Sequence, residues 1–296
     1  MTVDYDKLLN FPIREMRQLL TKRDSVLYAL SIGLAQDPMD ERQLDFVDPH
    51  RALKAMPSMA VVLGHPGFWL AHPDTGVDSV RLVHGEQSIS ILRTLPVEGN
   101  MIGRTRVTGL VDKGEGKGAL LYSEKQVVDA ATGEVLAVTS STTFLRGDGG
   151  FGGPEGPIRS PAPASEGEPD ITIDLPTRPE QALYYRLNGD DNPLHADPKF
   201  AAKAGFSRPI LHGLCTFGIV CHALVRGLGD YDPARLREMR LRFSAPVVPG
   251  ETLRTEIWRN GGFRARVVER DQLVITNGLA VFGDGAEPAS QDYRKP

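Results

Sequence analysis

The sequence predicts an α+β protein in which one unit, an antiparallel sheet wrapped around a central helix, is built twice. Three observations predict it. A glycine- and proline-rich stretch between Gly147 and Asp170 divides the chain into halves of similar size. Each half closes on a run of alternating, β-branched segments separated by turn formers. The halves also echo each other in the same order. Leu27-Tyr28 then Gly33 matches Leu183-Tyr184 then Gly189; Pro96-Val97 then Gly99 matches Pro246-Val247 then Gly250; and 135–138 through Phe144 resembles 273–276 through Phe282. Three echoes in one order indicate duplication.

In the second half, Glu180 to Leu187 reads as helical. Leu211 to Leu228 is apolar nearly all round, so a helix there is buried on most sides. The strands expected after it are Leu236–Val247, Glu251–Trp258, Arg264–Arg270 and Leu273–Phe282, with turns at Pro249-Gly250 and Asn260-Gly261-Gly262. A helix followed by consecutive strands is an α+β pattern. In the first half the strands are His84–Leu95, Met101–Val111, Ala119–Asp129 and Val135–Arg146. The central helix there is weaker, because Pro57 interrupts it and Gly64, Pro66 and Gly67 stop it. A shortened helix leaves room inside that half. The expected division is 1–147, a linker over 148–169, and 170–296. The linker cannot by itself bury enough apolar surface to offset its ordering entropy. Its glycines mimic a phosphate loop, but no strand leads in and no helix follows.

The bulk numbers narrow the function classes. The 296 residues are 41% hydrophobic and 24% charged, with a formal net charge of −4 and a pI near 6.0. That is an ordinary globular composition and not that of a nucleic-acid or membrane-surface binder. No apolar run approaches the roughly 20 residues of a membrane span. The N-terminus shows no secretory pattern and the C-terminus no peroxisomal tripeptide, so a cytoplasmic location is expected. The two cysteines, Cys215 and Cys221, fit neither a zinc nor a redox spacing and read as buried free thiols in a reducing compartment.

Chemistry concentrates in Y-Y-R-L-N-G-D-D-N-P-L-H-A-D-P, Tyr184 to Pro198. N-G-D-D-N-P is dense in turn formers, so a purely structural turn is the plain reading. Two observations favour a catalytic pair of Asp190 and His195. The first half has Leu34 opposite Asp190 and roughly Met39 opposite His195, so the pair is not what the turn requires. And His212-Gly213 opens the buried helix, whose N-terminus carries free N–H groups and partial positive charge. Such an end suits a developing oxyanion. A carboxylate and an imidazole on one water, beside an oxyanion donor, suit addition of water across a C=C conjugated to a thioester, or its reversal. No nucleophilic Ser or Cys is needed, and Cys215 shows no sign of activation.

D-x-N-P-L-H-x-D-P, then A-G-F and P-I-L-H-G-L-C-T-F-G, resemble the signature of the hydratase 2 family, the (R)-specific 2-enoyl-CoA hydratases with MaoC-like domains, which include the hydratase part of peroxisomal multifunctional enzyme type 2. Weaker matches lie at Arg23–Leu30, His84–Gln87, Asp112–Gly114 and Arg242–Leu253, so the resemblance spans both halves. It implies a double hot dog fold with one active site, carried by the second half. It puts the acid/base pair on Asp190 and His195, orientation of the pair on Asn192, and the oxyanion N–H on Gly213. Substrate contacts fall on His84, Gly85, Lys113 and Phe243. It implies (3R) products, acyl-CoA substrates and no cofactor beyond the coenzyme A of the substrate. By default His84-Gly85 is a strand start, Lys113 an exposed turn lysine and Phe243 a core residue. His50, His65, His72 and His222 read as structural or surface, with no metal site expected. A hot dog thioesterase and a non-catalytic acyl-CoA-binding subunit are the alternative functions. Chains can also pair as a homodimer.

Overall fold

The computed structural model describes residues 3–156 and 167–283. The first half contains α1 (Tyr5–Leu9), β1 (Met16–Leu20), α2 (Lys22–Ser31), α3 (Glu41–Leu44), β2 (Leu82–Ile91), β3 (Gly99–Asp112), β4 (Ala119–Asp129) and β5 (Val135–Leu145). The second contains β6 (Ile171–Pro176), α4 (Gln181–Tyr185), α5 (Pro198–Lys203), α6 (Gly213–Gly227), β7 (Leu236–Phe243), β8 (Thr252–Ile257), β9 (Gly262–Val267) and β10 (Gln272–Phe282). All ten strands form one antiparallel sheet in the order β1-β3-β4-β5-β2-β7-β10-β9-β8-β6. Outward from the central β2–β7 pair the two sides run in the same order. Each half is therefore the same unit, and the halves join edge to edge.

The eight expected strands are present, with ends shifted by a few residues. The two edge strands, β1 and β6, fall outside the eight expected strands. Each is short, and each is paired on one side only. Pro57 does not interrupt a helix. It starts one, as the first residue of a five-residue 3₁₀ helix, Pro57–Val61. Proline suits that position because its missing N–H is unpaired there anyway. The five residues take the place that the fifteen residues of α6 hold in the second half.

Helix α6 is buried from Cys215 to Val225 and is the centre of a core that draws on both halves, including Tyr28, Met59, Ile89, Phe217 and Val274. It crosses close to the end of α2: a Cβ on Gly218 would lie 2.4 Å from Ile32 Cγ2. Polar bonds add to this junction. Gln181 Nε2 donates to the Ser31 carbonyl at 2.5 Å and Asn188 Nδ2 to Ser31 Oγ at 2.9 Å. Helix α2 itself starts on a capping box, Thr21 with Asp24. Gly33 and Gly189, matched in the echo, both take left-handed backbone (φ +86° and +105°) and end equivalent helical segments. The tyrosine echo slips by one: the buried partner of Tyr28 is Tyr185, while Tyr184 is exposed.

The first part of the expected linker is fastened to the first half. Asp112 accepts N–H bonds from Gly114, Gly150 and Gly152, each at 2.8 Å, and its own N–H donates to the Pro154 carbonyl. Burial raises the Asp112 carboxyl, but these N–H bonds outweigh it and hold the pKa low. Residues 157–166 lie outside the described residues. No helix among the described residues is long and apolar enough to cross a membrane.

His222, in α6, is 1% exposed, and burial pushes its pKa down to about 4 from 6.5. Between those values the unfolded chain binds a proton that the native state refuses, so stability falls as pH drops through that window. Replacing His222 with Leu should remove about 2 kcal/mol of the stability lost between pH 7 and pH 5. Urea unfolding of both proteins at the two pH values measures it.

Candidate active site

The turn after α4 is built for its shape first. A 3₁₀ turn over Arg186–Asn188 ends at left-handed Gly189, which turns the chain into Asp190. Asn192 N–H donates to Asp190 Oδ1 at 3.3 Å, and Asn192 Oδ1 accepts from Leu194 N–H at 3.0 Å, capping the Pro193–His195 3₁₀ helix. Asp197 caps α5 by accepting from Lys199 N–H at 2.8 Å. Asn192 and Asp197 thus serve the backbone. Asp190 and His195 are the members of the run whose side chains enter a common cluster, and His212 joins them: one ligand-type atom from each lies within 4.8 Å of the others.

The hydrogen bonds fix the imidazole tautomers. His195 Nδ1 lies 2.9 Å from the Ile210 carbonyl. A carbonyl only accepts, so Nδ1 carries the proton and Nε2 keeps a lone pair. His212 Nε2 lies 3.2 Å from the Asp190 carbonyl and carries its proton by the same logic. His212 Nδ1 is buried with no protein partner among the described residues. The rings stack at 3.8 Å, tilted by 29°. Burial lowers the His195 pKa, while the Ile210 carbonyl and Asp190 oppose the shift. Burial, helped by His195, takes His212 down to about 3. Both rings are therefore neutral near pH 7. The donor set has the types a transition metal takes, but in-plane lone pairs on rings stacked this nearly parallel converge poorly on one ion. The cluster suits proton transfer better than coordination.

His212 is the N-cap of α6, and Gly213 is its first residue. No side chain caps this end. The ring of Phe243 lies against Gly213, 3.6 Å from where a Cβ would be. His84 meets Phe243 edge-on at 4.9 Å. Gly85 sits at a bulge where the β2–β5 register shifts, and His84 Nε2 donates to the Glu86 carbonyl at 3.1 Å. So Gly213, Phe243, His84 and Gly85 form one continuous wall beside the pair. Lys113 stands apart. It is exposed on the β3–β4 turn, with its ammonium 5.2 Å from the Phe144 ring centroid. Phe144 pairs with Val83, whose side chain faces the opposite side of the sheet from His84, so this contact does not join Lys113 to that wall.

Two residues of the site were not singled out in the sequence. His212 was noted only as the entry to a helix. Tyr185, 5.0 Å from the His212 ring, was hidden in a helical reading of Y-Y. An H-G step at a helix entry, close after a polar turn, was the available signal for His212. His65 is exposed, as a surface reading expects, and its Nδ1 accepts the Gly67 N–H. Cys215 is excluded as a nucleophile: burial raises its thiol well above the usual range, and its Sγ donates to the Ser31 carbonyl.

The duplicated sheet around a helix, with an acid/base cluster at the helix entry of one copy, defines a MaoC-like double hot dog dehydratase. Residues 19–147 match the MFE-2 hydratase 2 N-terminal domain and residues 161–279 the MaoC like domain. The chain belongs to the hydratase 2 family. It is 40% identical over 275 residues to the 3-hydroxyacyl-thioester dehydratase Y of Mycobacterium tuberculosis, covering 90% of this chain and 91% of that one. The MaoC-like dehydratase of Phytophthora capsici superposes with a TM-score of 0.82 at 34% identity, covering 94% and 98% of the two chains. The full-length peroxisomal multifunctional enzyme type 2 of Drosophila melanogaster superposes with a TM-score of 0.79 at 34% identity over 91% of this chain. This chain spans 48% of that longer protein.

Nitrogen-detected NMR of the histidines at pH 7 should show His195 as the Nδ1–H tautomer and His212 as the Nε2–H tautomer. Both pKa values are lowered, so each ring should gain its second proton only below pH 6.5, His212 far below. A ring charged at pH 7, or the reverse tautomers, would contradict the bonding described.

Proposed function

We propose that the protein catalyses the reversible syn hydration of trans-2-enoyl-CoA to (3R)-3-hydroxyacyl-CoA. The observation that carries this reading is the neutral His195, its Nε2 lone pair free, clustered with the Asp190 carboxylate at the N-terminus of α6. The thioester carbonyl accepts the Gly213 N–H. Asp190 and His195 hold one water, whose oxygen bonds to C3. The π electrons move onto the carbonyl oxygen, where the helix N-terminus stabilises the charge. The pair keeps the proton taken from water and supplies one to C2 as the carbonyl reforms. Both steps occur on one face, hence syn addition. His84, Gly85 and Phe243 flank the thioester, and the exposed Lys113 is the residue assigned to a coenzyme A phosphate. No further cofactor is required.

The first half has no second copy of this chemistry. Leu34, which follows Gly33 as Asp190 follows Gly189, is 1% exposed in the core, and Met39 is 83% exposed. Its short 3₁₀ helix fits a role in holding the acyl chain. Reduced, buried Cys215 and Cys221 fit a reducing compartment such as the cytoplasm.

Wild type should bleach the enoyl absorbance of crotonyl-CoA without releasing free thiol, and an (R)-specific dehydrogenase should oxidise the product. Asp190→Asn should lower kcat by about 10²- to 10⁴-fold with an unchanged circular dichroism spectrum. Thiol release would mean a thioesterase, and tight acyl-CoA binding without turnover a carrier. Gly213→Pro removes the one N–H in question at a position that tolerates proline, since His212 already holds an extended φ/ψ of −58°/135°. It should cost about 10²- to 10³-fold in kcat with α6 intact; full activity would place the thioester oxygen elsewhere.

A further inference from the structure

One buried titratable group of the cluster takes no part in the reaction as written above: His212. Its placement is unfavourable for stability on two counts. Helix N-caps are normally Ser, Thr, Asp or Asn, whose short side chains accept the first N–H groups of the helix. His212 is the N-cap of α6, yet its side chain makes no such bond. The ring is also 1% exposed, and its Nδ1 has no hydrogen-bond partner among the described residues. A buried acceptor left unpaired loses its hydration without replacement.

What the side chain does instead is grip the polar turn. Nε2–H donates to the Asp190 carbonyl at 3.2 Å, across 22 residues of chain. The ring lies on the ring of His195, with centroids 3.8 Å apart and planes 29° apart. Tyr185 packs on it as well, at 5.0 Å. His212 therefore touches the main chain of one member of the acid/base pair and the side chain of the other. The bond to the Asp190 carbonyl limits where that carboxylate can reach, and the stack limits rotation of the His195 ring. His212 is itself closed to proton transfer. Nε2 is committed to a carbonyl, and burial takes the pKa down to about 3, so the ring stays neutral. At 1% exposure it has no face to offer a substrate.

We propose that His212 is a positioning residue for the hydration: through the Asp190 carbonyl and the His195 ring it holds the acid/base pair in register with the N-terminus of α6. This rests on the hydratase reading above. His212 directly precedes Gly213, so the pair and the oxyanion N–H are tied to one point of the chain. The water held by the pair and the thioester carbonyl are thereby set at a fixed separation, which is what addition across the conjugated C=C requires. A missing helix cap and an unpaired Nδ1 persist because the same residue places the reacting groups.

The test measures kcat and KM on crotonyl- and decenoyl-CoA for wild type, His212→Phe and His212→Gln. Phe keeps a ring for the stack but has no donor. Gln gives up the ring and carries an amide N–H near the place of the imidazole Nε2. Packing alone would rank Phe above Gln, whereas a positioning hydrogen bond ranks Gln above Phe. His212→Phe should lower kcat by about 10- to 100-fold with KM within about twofold of wild type, and His212→Gln should recover part of that loss. Nitrogen-detected NMR should show His195 as the Nδ1–H tautomer in wild type and His212→Gln. In His212→Phe the loosened turn frees His195 from the Ile210 carbonyl, and both tautomers should appear. Wild-type kcat in His212→Phe, a Phe variant faster than the Gln variant, or a raised KM at unchanged kcat overturns the proposal. So does a single His195 tautomer in a slow His212→Phe. If one variant does not fold by circular dichroism, the His195 tautomer in the other decides. Failure of wild type on both substrates, seen without any variant, would remove the hydratase reading and this proposal with it.

Discussion

A reciprocal pair of imidazole-to-backbone hydrogen bonds holds the site together. His195, on the polar turn, donates to the Ile210 carbonyl just before α6. His212, at the head of α6, donates to the Asp190 carbonyl on the turn. Each segment thus carries the ring that grips the other. The two bonds set the distance between the turn and the helix N-terminus, fix both tautomers and leave His195 Nε2 as the free lone pair. Stacking of the two rings fills the gap between them. Buried polar bonds of this kind are demanding, because an unmade partner costs more than the bond contributes when made. The same arrangement that defines the loop's shape therefore also defines its chemistry.

The duplicated architecture gives the two halves different helix entries. Both halves spend the same topology, and they meet along β2 and β7 to make one continuous sheet. The second half keeps a full-length, buried helix and so has a helix N-terminus to offer. The first half replaces it with a short 3₁₀ helix whose last carbonyls are taken up by a buried lysine. Burial pushes that lysine down to about 7. One copy offers partial positive charge at the head of α6. The other ties its short helix to the sheet through Lys125.

Burial sets the charge state of most histidines near the site. His84 and His212 are held neutral at pH 7, by loss of hydration in both cases. A cleft lined by neutral imidazoles offers directional donors and acceptors without the counter-charge that would hold a carboxylate such as Asp190 in an ion pair. Among the described residues Asp190 takes part in no salt bridge, whereas pairs such as Arg254–Asp174 and Arg104–Glu15 lie at exposed positions.

By itself the sequence determined the features that are local. Periodicity marked α6 and eight strands, because alternation and an all-apolar helix are visible over a few residues. Turn chemistry marked 184–198, and the order of echoes revealed the duplication. Turn chemistry and the helix entry pointed to Asp190, His195 and His212-Gly213, and the resemblance in D-x-N-P-L-H and P-I-L-H-G assigned roles to Asp190, His195 and Gly213. What only the tertiary structure decided depends on contacts between distant segments. The edge strands β1 and β6 are strands because β3 and β8 offer them partners. Pro57 starts a helix because the core beneath it buries the residues that follow. The role of His212 exists only once the turn lies 22 residues back across from it. The turn at Leu63-Gly64 sits where it does only because Lys125, Gln18 and Gly103, from three different strands, hold it in place. None of those pairings has a local signature, since each is made by the closing of the sheet.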